Sequence, residues 1–168
     1  MPALEHILCV VILIGRIGDI GSTYLVTPGL RLEANPVARK LRWPFALLTV
    51  LVCLVPYWNT PLAVPIAVMS LVVTAENLRF GWIARALGED ELLAFYMSAA
   101  KRSHLWVAIS FLFGSACFSV LAGLLLFLFY PDPSKDWGFW FATGIVLSGV
   151  AIALHKSMFA WRIFRAPL

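Results

Sequence analysis

Long apolar runs separated by short polar connections constrain this chain more than any other feature. They occupy about residues 4–25, 44–58, 61–81, 104–130 and 137–161. A helix needs about 20 apolar residues to cross the hydrocarbon core of a bilayer, so 168 residues can hold four or five spans. Only 13% of the residues are charged, against about 25% in soluble domains. The sequence therefore predicts an all-α, polytopic transmembrane helix bundle of five spans, forming a single domain over residues 1–168.

The distribution of lysine and arginine predicts how these spans are oriented. Eleven of these residues fall in the first connection, the third connection and the C-terminal tail, whereas only Lys135 falls in the fourth connection. Because basic residues accumulate on the cytoplasmic side, we expect the N-terminus outside and the C-terminus in the cytoplasm. The net charge of +4 then reflects topology and contact with membrane lipids. No nucleic-acid-binding motif accompanies it, so we expect no nucleic-acid partner.

Residues 89–103 differ from the spans because apolar and charged side chains alternate within them. A helix of mixed composition with charged ends is typical of a segment that lies on the membrane surface. The sequence therefore predicts an interfacial helix here, with a plain polar connector as the alternative.

Polar side chains collect in the spans at a single depth. With a rise of 1.5 Å per residue, Asp19, Asn77 and His155 each lie roughly 22–27 Å from the outer end of their span. Intramembrane ionisable residues usually face the bundle interior and carry function. We therefore predict a pocket in the cytoplasmic-leaflet half of the bundle. Its candidate residues are Asp19, Thr23, Glu33, Asn35, Glu76, Asn77, His104 and His155.

Small residues at helical spacing predict which faces of the spans meet. Gly15, Gly18 and Gly21 would allow a neighbouring helix to approach the first span closely. The third span carries a polar stripe, and the fifth carries a small-residue stripe that ends at His155. These stripes are Ser70, Thr74 and Asn77, and Gly144, Ser148 and Ala151.

Several candidates also have a structural interpretation. Asp19 could simply pair with Arg16, and Glu76 could pair with Arg79, since each pair is three residues apart on a helix. His104 begins a span beside basic residues and could be an ordinary interfacial histidine. The sequence leaves these alternatives open.

The residues Asp19-Ile20-Gly21-Ser22-Thr23, then Gly29, then Glu33-Ala34-Asn35-Pro36 form the pattern D-x-x-S-T…G…E-x-N-P. This pattern resembles a group of small multi-pass prokaryotic membrane proteins of unknown function. The resemblance covers about the first third of the chain. It implies that Asp19, Thr23, Glu33, Asn35 and Pro36 act as one unit, and it implies no particular activity.

One functional hypothesis is a pocket that binds a cation, a lipid head group or a polyprenyl-phosphate-like substrate, with or without catalysis. Asp19, Glu33 and His155 are then the catalytic candidates, because carboxylates and imidazole transfer protons. Thr23, Asn35, Asn77 and His104 are the substrate-binding candidates. A divalent metal is compatible with oxygen and imidazole ligands, and haem is disfavoured. The candidate metal ligands are Asp19, Glu33, Glu76 and His155.

Two alternative functions need no chemistry in the pocket. The chain could be an accessory or scaffolding subunit of a larger membrane complex, in which the polar cluster holds helices together. It could also be the protomer of an oligomeric transporter, since 168 residues are few for two gated halves. Whether the protein is an enzyme is left open by its sequence.

Overall fold

Helices are the only regular elements in the part of the chain that the computed structural model describes, residues 2–33, 35–134 and 136–165. In chain order they are α1 (Pro2–Val26), α2 (Pro36–Leu48), a 3-10 helix (Thr49–Tyr57), α3 (Thr60–Leu87), α4 (Glu89–Arg102), α5 (Leu105–Phe129) and α6 (Trp137–Arg165). Within the described residues, four segments are long and apolar enough to cross a membrane: Leu4–Val26, Thr60–Leu87, Leu112–Phe129 and Trp137–Ile163. The prediction of an all-α membrane protein is confirmed at this level. Ala34 and Lys135, which the sequence arguments use, lie outside the described residues.

The ends of α3 follow from local sequence signals. The side chain of Asn59 accepts a hydrogen bond from the Leu62 amide at 3.0 Å, which caps the first turn, and Pro61 needs no amide partner there. Gly88 ends the helix with a φ of 82°, a conformation that glycine adopts without strain. The next helix, α4, begins immediately and occupies the segment for which an interfacial helix is predicted.

The segment predicted as the second span, residues 44–58, is not a continuous α-helix. Arg42 leaves the helical conformation with a φ of 54° and a ψ of −145°, and Pro44 follows two residues later. Proline removes a backbone donor and disfavours a regular α-helix at the preceding residue. After Leu48 the chain continues as the 3-10 helix, which rises about 2.0 Å per residue instead of 1.5 Å and contains Pro56.

Contacts between helices fix their relative directions. Along α1, Gly15 lies beside Ser70 and Gly18 lies beside Thr74, so α1 and α3 run parallel. The segment between α1 and α3 must therefore run back to the end of the bundle where α1 begins. Tyr57 at the end of the 3-10 helix accordingly contacts His6 near the start of α1.

The other two long helices complete the bundle. Gly144 of α6 packs against Pro65 and Val68, which lie early in α3, so α6 is parallel to α3. Gly123 of α5 contacts Val146, and Gly149 contacts Val120, so α5 is antiparallel to α6. The C-terminal ends of α1, α3 and α6 therefore meet at one end of the bundle, together with residues 27–33 and 35, which we call loop one.

Candidate functional site

Close packing of α1 on α3 brings their polar faces together. A Cβ atom at Gly15 would lie 2.8 Å from the Cβ of Ser70, and one at Gly18 would lie 3.1 Å from Cγ2 of Thr74. Only glycine allows this approach, as the sequence predicts. Gly21 has no neighbouring atom within 4 Å of such a Cβ, so its predicted role in helix contact is wrong.

Asp19 lies in a polar cluster at this interface. Its carboxylate is 3.1 Å from the Arg16 guanidinium, and Arg16 also donates to the Ser70 hydroxyl at 3.0 Å. The side-chain amide of Asn77 lies 3.3 Å from acceptor oxygens of Asp19, Ser22 and Thr23. The Arg16–Asp19 pair considered from the sequence is therefore present, and α3 closes the cluster through one amide group.

A second carboxylate, Glu76, joins α3 to two other helices. The Lys156 ammonium of α6 lies 2.6 Å from Oε1 of Glu76 and donates to the Ser115 hydroxyl of α5 at 2.8 Å. Ser115 in turn donates to Glu76 at 3.1 Å. Arg79, the partner considered from the sequence, is farther away at 3.7 Å. The principal partner of Glu76 is therefore Lys156, which the sequence analysis counted only as a topology determinant.

The third carboxylate, Glu33, belongs to loop one. Its Oε1 lies 3.8 Å from Nδ1 of His155 and accepts a hydrogen bond from the Asn35 amide at 2.7 Å. Asn35 is the N-cap of α2, because its side chain accepts from the Val37 amide at 2.9 Å. Pro36 stands at the first helical position, which suits proline. The Asn35 amide and His155 thus both contact Glu33, which places this carboxylate between the start of α2 and α6.

Loop one is fastened to α4 by Glu89, a residue that the sequence analysis did not select. The Glu89 carboxylate accepts from the Thr27 hydroxyl at 2.7 Å, from the Arg31 amide at 2.8 Å and from the Gly29 amide. Leu32 packs beside this anchor against Ala84 and Leu92. Backbone amides that converge on one carboxylate give strong, charge-assisted hydrogen bonds, so Glu89 sets where loop one lies.

Asp19, Glu76 and Glu33 with their partners line a cavity of about 380 Å³. The lining combines charged side chains of α1, α3 and α6 with apolar residues near the α2 kink, among them Trp43, Phe45 and Ala46. Seven of the eight predicted site residues line it: Asp19, Thr23, Glu33, Asn35, Glu76, Asn77 and His155.

His104 is the predicted site residue that the structure does not bring to the cavity. It immediately precedes α5 as the N-cap residue, makes no side-chain capping hydrogen bond, and is exposed. His155, by contrast, lies on the face of α6 that meets Glu33 of loop one.

The predicted metal ligands are divided among separate ion pairs. Asp19 contacts Arg16, Glu76 contacts Lys156, and Glu33 contacts His155. Within residues 2–33, 35–134 and 136–165, no three histidine, cysteine, aspartate or glutamate side chains are grouped closely enough to hold a metal ion.

Comparison with known proteins adds no family assignment. The chain has no significant match to any protein-family model, curated protein or solved structure. The resemblance based on the D-x-x-S-T and E-x-N-P residues stays a prediction.

Proposed function

We propose that the chain crosses a prokaryotic inner membrane five times, with its N-terminus outside and its C-terminus in the cytoplasm. The parallel directions of α1 and α3 support this, since the chain between them must return to the starting end. Residues 43–57 extend about 27 Å if each residue rises as its helix type requires. That length is close to the ~30 Å hydrocarbon core, so the kinked segment is long enough to cross.

The basic residues of loop one, α2 and α4 fit the same topology, because all three lie at one end of the bundle. Reporter fusions after Gly88 and Ser134 test it. The fusion after Gly88 should be active only with a cytoplasmic reporter, and the fusion after Ser134 only with an external one. Cytoplasmic signals from both fusions would contradict the five-span topology.

The function that the geometry supports best is binding of an amphipathic ligand whose polar head enters the cavity from the cytoplasmic leaflet. One observation carries this proposal: a single cavity is lined by both charged and apolar side chains. Ligand pockets typically combine apolar surface with a few convergent polar groups. The charged residues would bind a lipid or polyprenyl-phosphate-like head group, and the apolar residues would contact its hydrocarbon chain.

Glu33 and His155 supply the chemistry that such a site could perform. They lie 3.8 Å apart, and a carboxylate beside an imidazole is a common arrangement for moving protons. Asp19 and Glu76 are already occupied by fixed cations. The Glu33–His155 pair is therefore our candidate for general acid–base work on the bound head group.

A matched pair of neighbouring variants tests the binding proposal. Ala46 lines the cavity, whereas the side chain of Leu47 is 65% exposed on the outer surface of the bundle. Ala46→Trp should fill the cavity and remove amphiphile that co-purifies in mild detergent, as measured by native mass spectrometry. Leu47→Trp should retain it. Equal ligand retention by both variants, or no bound amphiphile in the wild type, would contradict the proposal.

The accessory-subunit alternative also has a specific observation in its favour. Asp19 and Glu76 each connect helices through ion pairs and hydrogen bonds, as polar groups that hold a membrane bundle together would. Under this alternative the chain should purify with a stoichiometric partner protein. The mass of the purified complex would then differ from every whole multiple of the mass of this chain. Cavity-filling variants would leave the function of the complex unchanged.

A further inference from the structure

One of the strongly basic side chains that line the cavity has no acidic partner among the described residues. Asp19 is paired with Arg16 and Glu76 is paired with Lys156. Arg42 is the third strongly basic residue of the lining. Among the residues that the structure describes, its guanidinium has neither an ion pair nor a hydrogen bond. A guanidinium has five donors in a planar fork, so Arg42 has its full donor set available to a ligand.

The backbone conformation of Arg42 is a second, independent indication that this residue contacts a ligand. Its φ of 54° and ψ of −145° lie outside the regions that side-chain-bearing residues normally adopt. Strained residues of this kind concentrate at ligand clamps and active sites, where the surrounding structure enforces them. Here the strain produces the kink that divides α2. Before the kink the helix carries Arg39 and Lys40, and after it the chain is apolar.

We propose that Arg42 binds the phosphate of an anionic membrane lipid whose hydrocarbon chain lies along Trp43 and Phe45. This inference rests on the proposed function and specifies its ligand class. A guanidinium matches two phosphate oxygens in a bidentate arrangement, which an ammonium group cannot reproduce.

The remaining charges of the cavity orient this ligand. Glu33, which contacts His155, also lines the cavity, and its carboxylate repels a phosphate. The phosphate is therefore expected at Arg42 and not at Glu33.

Binding of three probes to the full-length protein in mild detergent tests this assignment. Phosphatidic acid carries the phosphate and the chains, diacylglycerol carries the same chains without phosphate, and glycerol 3-phosphate carries the phosphate without chains. The wild type should bind phosphatidic acid at least about tenfold more tightly than either other probe. Equal binding of glycerol 3-phosphate would overturn the membrane-lipid source and indicate a soluble phosphate ligand.

Two substitutions distinguish the contribution of the Arg42 guanidinium to binding from that of the backbone conformation. Arg42→Gly removes the side chain and relaxes the positive φ, so folding is expected to survive, whereas Arg42→Lys retains the charge without the fork. Both should bind phosphatidic acid about tenfold or more weakly than the wild type while their weak diacylglycerol binding stays the same. Arg102→Gln, at the exposed end of α4, is the matched control and should bind like the wild type.

The outcomes distinguish this inference from the binding proposal itself. If phosphatidic acid and diacylglycerol both bind the wild type and neither is affected by Arg42→Gly, the cavity binds amphiphiles but the role of Arg42 is wrong. If neither lipid binds the wild type, the amphiphile-binding function fails and this inference fails with it. Thermal unfolding of each variant in the same detergent checks that a loss of binding is not a loss of fold.

Discussion

Glu76 and Glu33 are two carboxylates of one cavity, and they are shielded to almost the same extent. Their side chains are 16% and 13% exposed. Glu76 faces a lysine ammonium at 2.6 Å, whereas Glu33 faces an imidazole at 3.8 Å. The lysine ammonium holds Glu76 in place, whereas the contact between Glu33 and the imidazole is longer. Two carboxylates with similar burial therefore differ in the kind and closeness of their partners.

The partners also differ in what they connect. Glu76 joins three long helices through Lys156 and Ser115, so its loss would loosen the bundle. Glu33 joins loop one to α6, and loop one is held independently by Glu89. We therefore expect mutations at the first site to affect stability and mutations at the second to affect function.

The largest expected effect is that of Lys156→Met, which leaves Glu76 without its ammonium partner. Stranding one member of a buried ion pair typically costs about 3–5 kcal/mol, and we expect a corresponding loss of thermal stability and monodispersity in detergent. The double variant Lys156→Met/Glu76→Gln should recover most of the loss, because no buried unpaired charge remains; Arg79, the other cation near Glu76, is 62% exposed. Lys101→Met, at the exposed end of α4, is the control. A double variant no more stable than Lys156→Met would contradict the pairing.

A smaller loss of stability is expected for Asp19→Asn. It leaves Arg16 without its carboxylate, but Arg16 keeps its hydrogen bond to Ser70, so the loss should be roughly 2 kcal/mol. Adding Arg16→Gln should restore stability if the pair is structural. The measurement is the unfolding midpoint of the single and double variants. If Asp19→Asn instead has wild-type stability but loses ligand binding, Asp19 serves function, as proposed for Glu33, and not stability.

Sequence patterns were sufficient to predict the faces of α1 and α3 that meet. The spacing of Ser70, Thr74 and Asn77 indicates a polar stripe, and glycines opposite it indicate close packing. Depth counting also predicted that Asp19, Glu76 and His155 lie at one level. These features are local, since each depends only on helical geometry within a single span.

The features that escaped prediction depend on how separate elements pack. Lys156 continues the Gly144–Ser148 stripe at steps of four residues, but lysine near a helix end is usually a topology determinant. Its pairing with Glu76 depends on the relative rotation of α3 and α6. Glu89 reaches loop one only because Gly88 turns the chain between α3 and α4. His104 shows the converse, because its depth was suitable but its position before α5 keeps it exposed.

Release of loop one should produce a more local effect. Glu89→Gln replaces a charged acceptor by a neutral amide, whose single oxygen cannot serve all three donors of Thr27, Gly29 and Arg31. We expect local opening to become easier by about 1–2 kcal/mol, measured as faster hydrogen exchange of residues 27–33. Glu91→Gln on the same helix should leave exchange unchanged. If exchange accelerates equally throughout the bundle, Glu89 supports the whole fold instead of positioning loop one.

The smallest effect on stability is expected at Glu33, and this variant tests the comparison most directly. Glu33→Gln leaves no fixed cation unpaired, and its amide oxygen can still accept from the Asn35 amide, so stability should change by less than about 0.5 kcal/mol. His155→Gln should behave similarly, since both side chains can still hydrogen-bond. If the pair acts on a bound head group, each variant should keep the bound amphiphile yet lose the phenotype that complements a deletion strain. Destabilisation of Glu33→Gln as large as that of Lys156→Met would show instead that Glu33 is a second structural carboxylate, and the distinction between the two sites would disappear.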